Sequence, residues 1–252
     1  MSEPSDSRDH TERMLRKLSV SLEEWHDEAG RHWVSMSGPV EKLPPMNGRL
    51  PSDPSSAAFL AVAATVVPES HIRIPGVCVN PGRSGLFSVL TEMGGRIEMT
   101  PLQGDHAEPI ADLALSSADL HGVTVGGSSV PAMIDEFPIF AVAATQAHGM
   151  TVVKDAAELR LKESDRIDAL VGELLKMGAN IEPAADGFVV RGPARLHVAE
   201  VNARGDHRLA MSLAVAGLIA SGETVIHGWE VLQDSFPEFP LVLRRLGADV
   251  RC

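Results

Sequence analysis

Residues 158–168 read ELRLKESDRID, and seven of the eleven carry a formal charge. Three cations and four carboxylates so close together can fold into a solvated, salt-bridged turn. They can also surround a charged ligand. A second stretch, GDHRLAMS at 205–212, places Asp206, His207 and Arg208 in a row, and a third, IDEFPIF at 134–140, carries Asp135. Guanidinium groups hold carboxylates and phosphates through paired N–H donors. A carboxylate set among them is a candidate for proton transfer. The chemistry these residue types allow is capture of a compact anion with acid–base groups beside it.

The elements that must position these residues can be read locally. The strand TVVKDAAELRLK should alternate faces, which sends Arg160 and Lys162 to the same side. Ser164 is the expected N-cap of the helix DRIDALVGELLKM, with Asp165 and Arg166 in its first turn. Asp165 suits the positive end of a helix dipole, whereas Arg166 is disfavoured there by a few tenths of a kcal/mol. The same misfit recurs at GDHRLAM, where Asp206 is the natural cap and His207 and Arg208 crowd the first turn. Two helix starts with a misplaced arginine make sense if an anion lies between them, facing free N–H groups and guanidinium donors together. Asp135 falls at a third equivalent helix end. Each stretch alone has a plainer reading, as a salt-bridged turn, a cap with surface neighbours, or a simple N-cap. Their matching positions in a repeat favour convergence. The loop NPGRSG at 80–85 could be an anion nest, but an ordinary turn is the simpler reading.

That repeat organises the chain. Segments opening at Ser55, Asp135 and Asp206 each begin with an Ala-rich apolar helix and continue into a strand rich in β-branched residues. A turn, an amphipathic helix and a Met-Gly or Leu-Gly step into a final strand follow. Gly94, Gly178 and Gly247 fit the left-handed position after each second helix. Units of roughly 70–85 residues are too long for common solenoids. Their α-β-α-β order implies helices packed on sheet, α/β or α+β in class, with three units around a pseudo-threefold axis. Residues 1–51 form only the later part of such a unit and a polar hairpin, then a Pro- and Gly-rich linker, so the chain is expected to begin mid-unit.

Composition bounds the partners. Aromatic side chains are few, with no tyrosine, so the core is expected to be Ala, Val, Leu and Met. A formal net charge of −12 argues against nucleic acid or an anionic membrane as partner. The longest apolar run, AAFLAVAATVV, is too short to span a bilayer, and the polar opening lacks a leader pattern. Cys78 and Cys252 form no disulfide framework, which makes a reducing cytoplasm the default location. The histidines show no metal-ligand spacing, so no metal and no cofactor are expected.

These motifs resemble those of the EPSP synthase family (3-phosphoshikimate 1-carboxyvinyltransferases). LRLKESDRI matches a specific signature block. DPSSAAFLAVAATVVP, NPGRSGLFSVLTEMG, MIDEFPIFAVAA, GDHRLAMSLAVAGL and SFPEFPLVLRRLGA follow in family order. SRDHTERML is similar to the bacterial class II branch. The resemblance covers the chain but only the C-terminal part of a family member. It implies an enolpyruvyl transferase-like lobe of βαβαββ units, in a fold of two lobes with the active site in the cleft. Residues 1–51 would be the end of the N-terminal lobe and its linker, and 52–252 the C-terminal lobe.

The activity implied is transfer of the enolpyruvyl group from phosphoenolpyruvate to the 5-hydroxyl of shikimate 3-phosphate, on the route to chorismate and the aromatic amino acids. Carried over by motif, Asp135 would face the reacting hydroxyl and Lys162 would assist proton transfer. Glu163 would serve the methylene carbon. Arg166 and Arg208 would clamp phosphoenolpyruvate with His207 beside them, and Arg8 would hold the phosphate of shikimate 3-phosphate. The sequence departs from the family at Glu158 and Asp234, where members carry asparagine and lysine. The N-terminal Lys-Ser-Arg cluster, Gly-rich loop and Ser-rich block are missing. The full-length enzyme is expected to be monomeric, and this chain to need a complementary N-terminal half. The competing readings are a UDP-N-acetylglucosamine enolpyruvyl transferase and a non-catalytic interaction module.

Overall fold

The structure, a computed structural model, describes residues 1–3, 7–45, 47–104 and 107–251; Cys252 lies outside them. Apolar side chains on all sides of a helix demand burial on all sides, and three helices of this kind occupy the centre. They are α2 (Pro54–Val66), α4 (Phe137–Gln146) and α6 (His207–Ile219), and each packs against the other two. Nearly every residue of α4 is buried, and Phe140 is fully so. Phe137 stacks edge-on against both Phe140 and Phe188. The core is thus aliphatic with a few aromatic pins, as the composition requires.

Around this centre lie three sheets, one per unit. In the first, β4 (His71–Cys78) pairs antiparallel with β6 (Ile110–Ser116), which pairs with β5 (Arg96–Pro101), while α3 (Gly85–Glu92) joins β4 to β5. In the second, β7 (Thr124–Val125) runs parallel to β8 (Gly149–Val153), and β10 (Gly187–Gly192) lies between β8 and β9 (Ile181–Ala184). Its outer helix is α5 (Arg166–Lys176), which buries Ile167, Leu170, Val171 and Leu174 on one face. In the third, β11 (Glu200–Asn202) runs parallel to β12 (Val225–His227), followed by α7 (Phe239–Arg245).

The expected final strand of the third unit is not formed: Ala248–Arg251 follow α7 without strand pairing. In the two other units the equivalent strand pairs with β6 or β10, and the third has no such partner among the described residues. A strand needs a neighbour to satisfy its backbone, and ADV alone supplies none.

The opening segment forms β1 (Ser2–Glu3), α1 (His10–Lys17) and a hairpin of β2 (Leu22–His26) and β3 (His32–Met36). It is tied to the first unit by polar contacts. The Asn80 amide donates to Asp9 at 2.7 Å and to Glu108 at 2.8 Å. His10 Nδ1 lies 2.7 Å from Glu108 Oε1. These contacts fix the chain just before α1, where Arg8 sits. No helix among the described residues is long and apolar enough to cross a membrane.

Truncating a side chain at the centre of the helix trio should leave a cavity that neighbours cannot fill. Phe140→Ala is expected to destabilise the chain by about 3–5 kcal/mol, seen as a lower urea midpoint with an unchanged slope.

Candidate active site

The charge cluster is assembled at helix starts. The α6 cap is Asp206, as its position suggests: one carboxylate oxygen accepts from the N–H groups of Arg208 at 2.8 Å and Leu209 at 3.4 Å. Its other oxygen accepts from Arg166 Nε at 2.6 Å. Asp206 is fully buried and Arg166 is 3% exposed. A single carboxylate therefore caps one helix and anchors the first residue of another. The α5 cap is Asp165, which accepts from the Asp168 N–H at 3.1 Å, and not Ser164. Both residue types cap well, and one residue of phase decides between them.

The strand expected through Lys162 ends at Val153. Asp155 takes a left-handed φ of 62°, which terminates it, and Ala157–Leu161 form a 3₁₀ turn. Arg160 and Lys162 consequently point to different partners. Arg160 donates to the carbonyls of Ala184 and Ala185 and to Asp165, bracing the turn between β9 and β10. Lys162 contacts Glu158 and approaches Asp135 at 3.9 Å. Asp135 is also one residue off its expected place. Glu136 occupies the α4 cap position without a side-chain capping bond, so the Asp135 carboxylate faces the cluster.

Four cations from three segments converge on that carboxylate. Arg8 lies 2.7 Å from it, Arg166 3.5 Å, Arg208 3.8 Å and Lys162 3.9 Å. Burial pushes the Asp135 pKa up, but Arg208, Arg8 and Lys162 outweigh it and hold the pKa at about 2. Glu163 accepts from Arg166 at 2.5 Å while its side chain stays half exposed. That contact is the one an incoming anion can replace most readily. Arg208 donates to the Asp135 carbonyl at 3.3 Å and approaches Glu136 at 3.6 Å. His207 is half-buried at the same helix start, its pKa lowered by burial and by Arg208, so it is neutral near pH 7. It makes no side-chain hydrogen bond to the cluster among the described residues. All the other expected site residues share the cluster.

Sequence reasoning missed a buried extension of it. Glu136 is 3% exposed and accepts from Ser55 Oγ at 2.5 Å, and Ser55 Oγ accepts from Arg83 at 2.9 Å. Burial raises the Glu136 pKa. The adjacency of Asp135 and Glu136 was visible, but Ser55 and Arg83 come from another unit. The NPGRSG loop is a turn: Asn80 Oδ1 accepts from the Gly82 N–H at 2.9 Å and its carbonyl accepts from the Arg83 N–H at 2.8 Å. Its arginine serves this buried relay.

Comparison with known proteins gives a consistent result. A profile of the EPSP synthase (3-phosphoshikimate 1-carboxyvinyltransferase) family matches residues 1–243. A 3-phosphoshikimate 1-carboxyvinyltransferase from Roseiflexus sp. (strain RS-1) is 43% identical over 244 residues, covering 96% of this chain and 55% of that protein. The one from Geobacter sulfurreducens is 45% identical over 249 residues, covering 98% and 56%. The crystal structure of EPSP synthase from Acinetobacter baumannii superposes with a TM-score of 0.88 at 38% identity, covering 98% of this chain and 56% of that one. The enolpyruvyl transferase NikO from Streptomyces tendae, at 21% identity and a TM-score of 0.73, shares the fold. The chain spans about half the length of the curated relatives it matches. By extent of match and by identity, this chain belongs to the EPSP synthase family.

Proposed function

We propose that this chain supplies the phosphoenolpyruvate side of an enolpyruvyl transfer site, as the C-terminal portion of a class II-like EPSP synthase. The reaction joins C2 of phosphoenolpyruvate to the 5-hydroxyl of shikimate 3-phosphate with protonation of C3, and the tetrahedral adduct then loses phosphate together with a proton from C3 to give EPSP. Residues 52–252 act as one lobe, and residues 1–51 as the end of the other with its linker. A polypeptide carrying the rest of the second lobe completes the site, in the cytoplasm. The observation that carries this reading is the convergence of Arg8, Lys162, Arg166 and Arg208 on Asp135.

The roles follow from charge and reach. Arg166 and Arg208 present guanidinium donors at two helix starts, suited to a carboxylate and a phosphate on one small molecule. His207, beside them, lines the same anion. Arg8 faces the acceptor's phosphate. With the site empty, Asp135 is too weak a base to attract a hydroxyl proton. A bound anion offsets the field of the cations and raises its proton affinity, so that the base becomes competent only when substrate is in place. Lys162, next to it, relays or compensates the proton. Glu163, released from Arg166 by the anion, is free to serve the methylene carbon.

The deciding experiment is co-expression with the N-terminal half of a relative, followed by assay of phosphate release that depends on shikimate 3-phosphate. Turnover supports the reading. A folded complex that binds no phosphoenolpyruvate and releases no phosphate would remove it in favour of a non-catalytic module, and turnover with UDP-N-acetylglucosamine would change the acceptor.

Two arginine variants should separate binding from stability. Arg208→Ala is expected to lower kcat/KM of the complemented enzyme by about 10²-fold or more with little change in melting temperature. Arg208→Lys should not restore it, because a point charge does not reproduce paired donors. Arg166→Ala leaves Asp206 buried without its cation and should cost about 3–5 kcal/mol of stability as well.

The depressed pKa of Asp135 fixes a pH dependence. Its folded value, about 2, lies below that of an unfolded aspartate at about 3.9. The stabilisation it contributes is therefore fully present above pH 4 and lost as pH falls towards 2. Urea titrations of the wild type and Asp135→Asn should differ most above pH 4, with the gap closing towards pH 2. A constant gap would show that the carboxylate is not held by these cations.

A further inference from the structure

The turn at residues 80–83 meets the charge cluster from two sides, and its residue types answer to those contacts. Asn80 is 1% exposed and uses both ends of its amide. Its Oδ1 accepts from the Gly82 N–H, and its Nδ2 donates to Asp9 and to Glu108. An aspartate could not donate there and would place a third carboxylate beside those two. Gly82 is demanded by close approach: a Cβ on it would lie 2.9 Å from the Ser7 carbonyl oxygen and 3.6 Å from the Arg8 Cα. The backbone that carries Arg8 therefore rests directly on the turn, with Asp9 pinned beside it.

Arg83 leaves the turn on the other side. Its Nη2 donates to Ser55 Oγ at 2.9 Å and to Asp53 at 3.4 Å, and Ser55 Oγ donates to Glu136. Its buried Nε has no hydrogen-bond partner among the described residues. A buried donor left unsatisfied costs free energy, so Arg83 is held at Ser55 against its own best bonding. Beyond Ser55, Glu136 lies 3.6 Å from Arg208 Nη1, which also donates to the Asp135 carbonyl. Nη2 of Arg208 faces the Asp135 carboxylate at 3.8 Å. One edge of that guanidinium is thus tethered to the buried side, and the other is turned to the cluster.

We infer that residues 80–83 are a positioning element for both substrates. Asn80 and Gly82 set Arg8 through the backbone, and Arg83, acting through Ser55 and Glu136, sets the guanidinium of Arg208. None of these residues needs to touch a reacting molecule; each acts through an arginine. The turn itself is no anion nest, because the N–H groups of Gly82 and Arg83 are taken by Asn80. Its two arms fix the spacing between a cation of the opening segment and a cation of the third unit. The inference rests on the roles proposed above for Arg8 and Arg208, and it names the residues on which those roles depend. The arms serve different substrates: one acts on the acceptor's phosphate through Arg8, the other on phosphoenolpyruvate through Arg208.

The complemented enzyme tests that split. Gly82→Ala is expected to raise KM for shikimate 3-phosphate about tenfold or more, with KM for phosphoenolpyruvate changed less than about twofold. Ser55→Ala should do the reverse, and Arg83→Met, which keeps the length but not the donors, should act in the same direction as Ser55→Ala. Urea midpoints establish that each variant is folded during assay. In an Arg208→Ala background Ser55→Ala should add nothing further, because the group it acts through is gone. A fully additive loss would mark a merely structural role and overturn the inference. Guanidinium nitrogen NMR of the chain alone gives a readout without turnover, since fixed partners slow rotation about the Nε–Cζ bond. Gly82→Ala should speed that rotation at Arg8 and not at Arg208, and Ser55→Ala at Arg208 and not at Arg8. That pattern beside an inactive wild-type complex would support the positioning and remove the enzymatic reading, so the two failures are distinguishable. Equal rises in both KM values, or rotation unchanged in both variants, would overturn the inference.

Discussion

The buried pair of Arg166 and Asp206 is the constraint on which the cluster depends. Neither charge is stable alone in such a place, because removing an ion from water costs several kcal/mol. Their contact, 2.6 Å from Nε to carboxylate, does not by itself make the fold more stable than an apolar pair would. It fixes register. Asp206 belongs to the third unit and Arg166 to the second, so one interaction sets the starts of α5 and α6 against each other. Because only Nε is taken by Asp206, the terminal nitrogens of Arg166 remain directed at Asp135 and Glu163.

The same pair explains how a cation is tolerated at a helix start. The dipole penalty is a few tenths of a kcal/mol, small beside the cost of leaving Asp206 unpaired. Arg208 is less tightly held, with contacts to Asp135 and Glu136 of 3.3–3.8 Å. One arginine is a fixed wall and the other can adjust to a ligand. An unliganded site built this way is nearly self-neutralised, which lets it persist in a protein of net charge −12. Under the proposed function, binding an anion is an exchange of partners, with Glu163 as the exposed group that yields.

Much of this was legible in the sequence because the chain repeats itself. The misfit of Arg166 and Arg208 follows from a cation in the first turn of a helix, and the cap at Asp206 followed from residue type. What failed was phase and partnership. SerAsp at 164–165 offers two caps one residue apart, and the choice rests on packing that no local rule contains. Alternation from Thr151 to Lys162 was broken at Asp155, whose carboxylate accepts from the Gly127 N–H at 2.9 Å and whose own N–H donates to Asp186 at 2.8 Å. Those partners lie outside any local window. The relay from Arg83 through Ser55 to Glu136 was hidden for the same reason. It joins residues from two units, and each alone is unremarkable in its own segment.

The pseudo-threefold arrangement also explains why the two ends of the helix trio differ in kind. At the N-terminal ends, unsatisfied N–H groups favour anions and acidic caps, and Asp53, Asp206 and Glu136 occupy them. Only two units bring arginines to the cluster from their helix starts. In the first, α2 begins with proline and serine, and Arg83 reaches Ser55 from a neighbouring turn. The ring of charge is therefore open on the side of α2, and Arg8 of the opening segment reaches Asp135 across 2.7 Å. At the C-terminal ends, carbonyls and strand edges need donors, which the first two units take from the chain leaving their sheets. A threefold core thus has two ends with opposite hydrogen-bonding needs. At the N-terminal ends, one position in the cluster is given to a residue from outside the repeat.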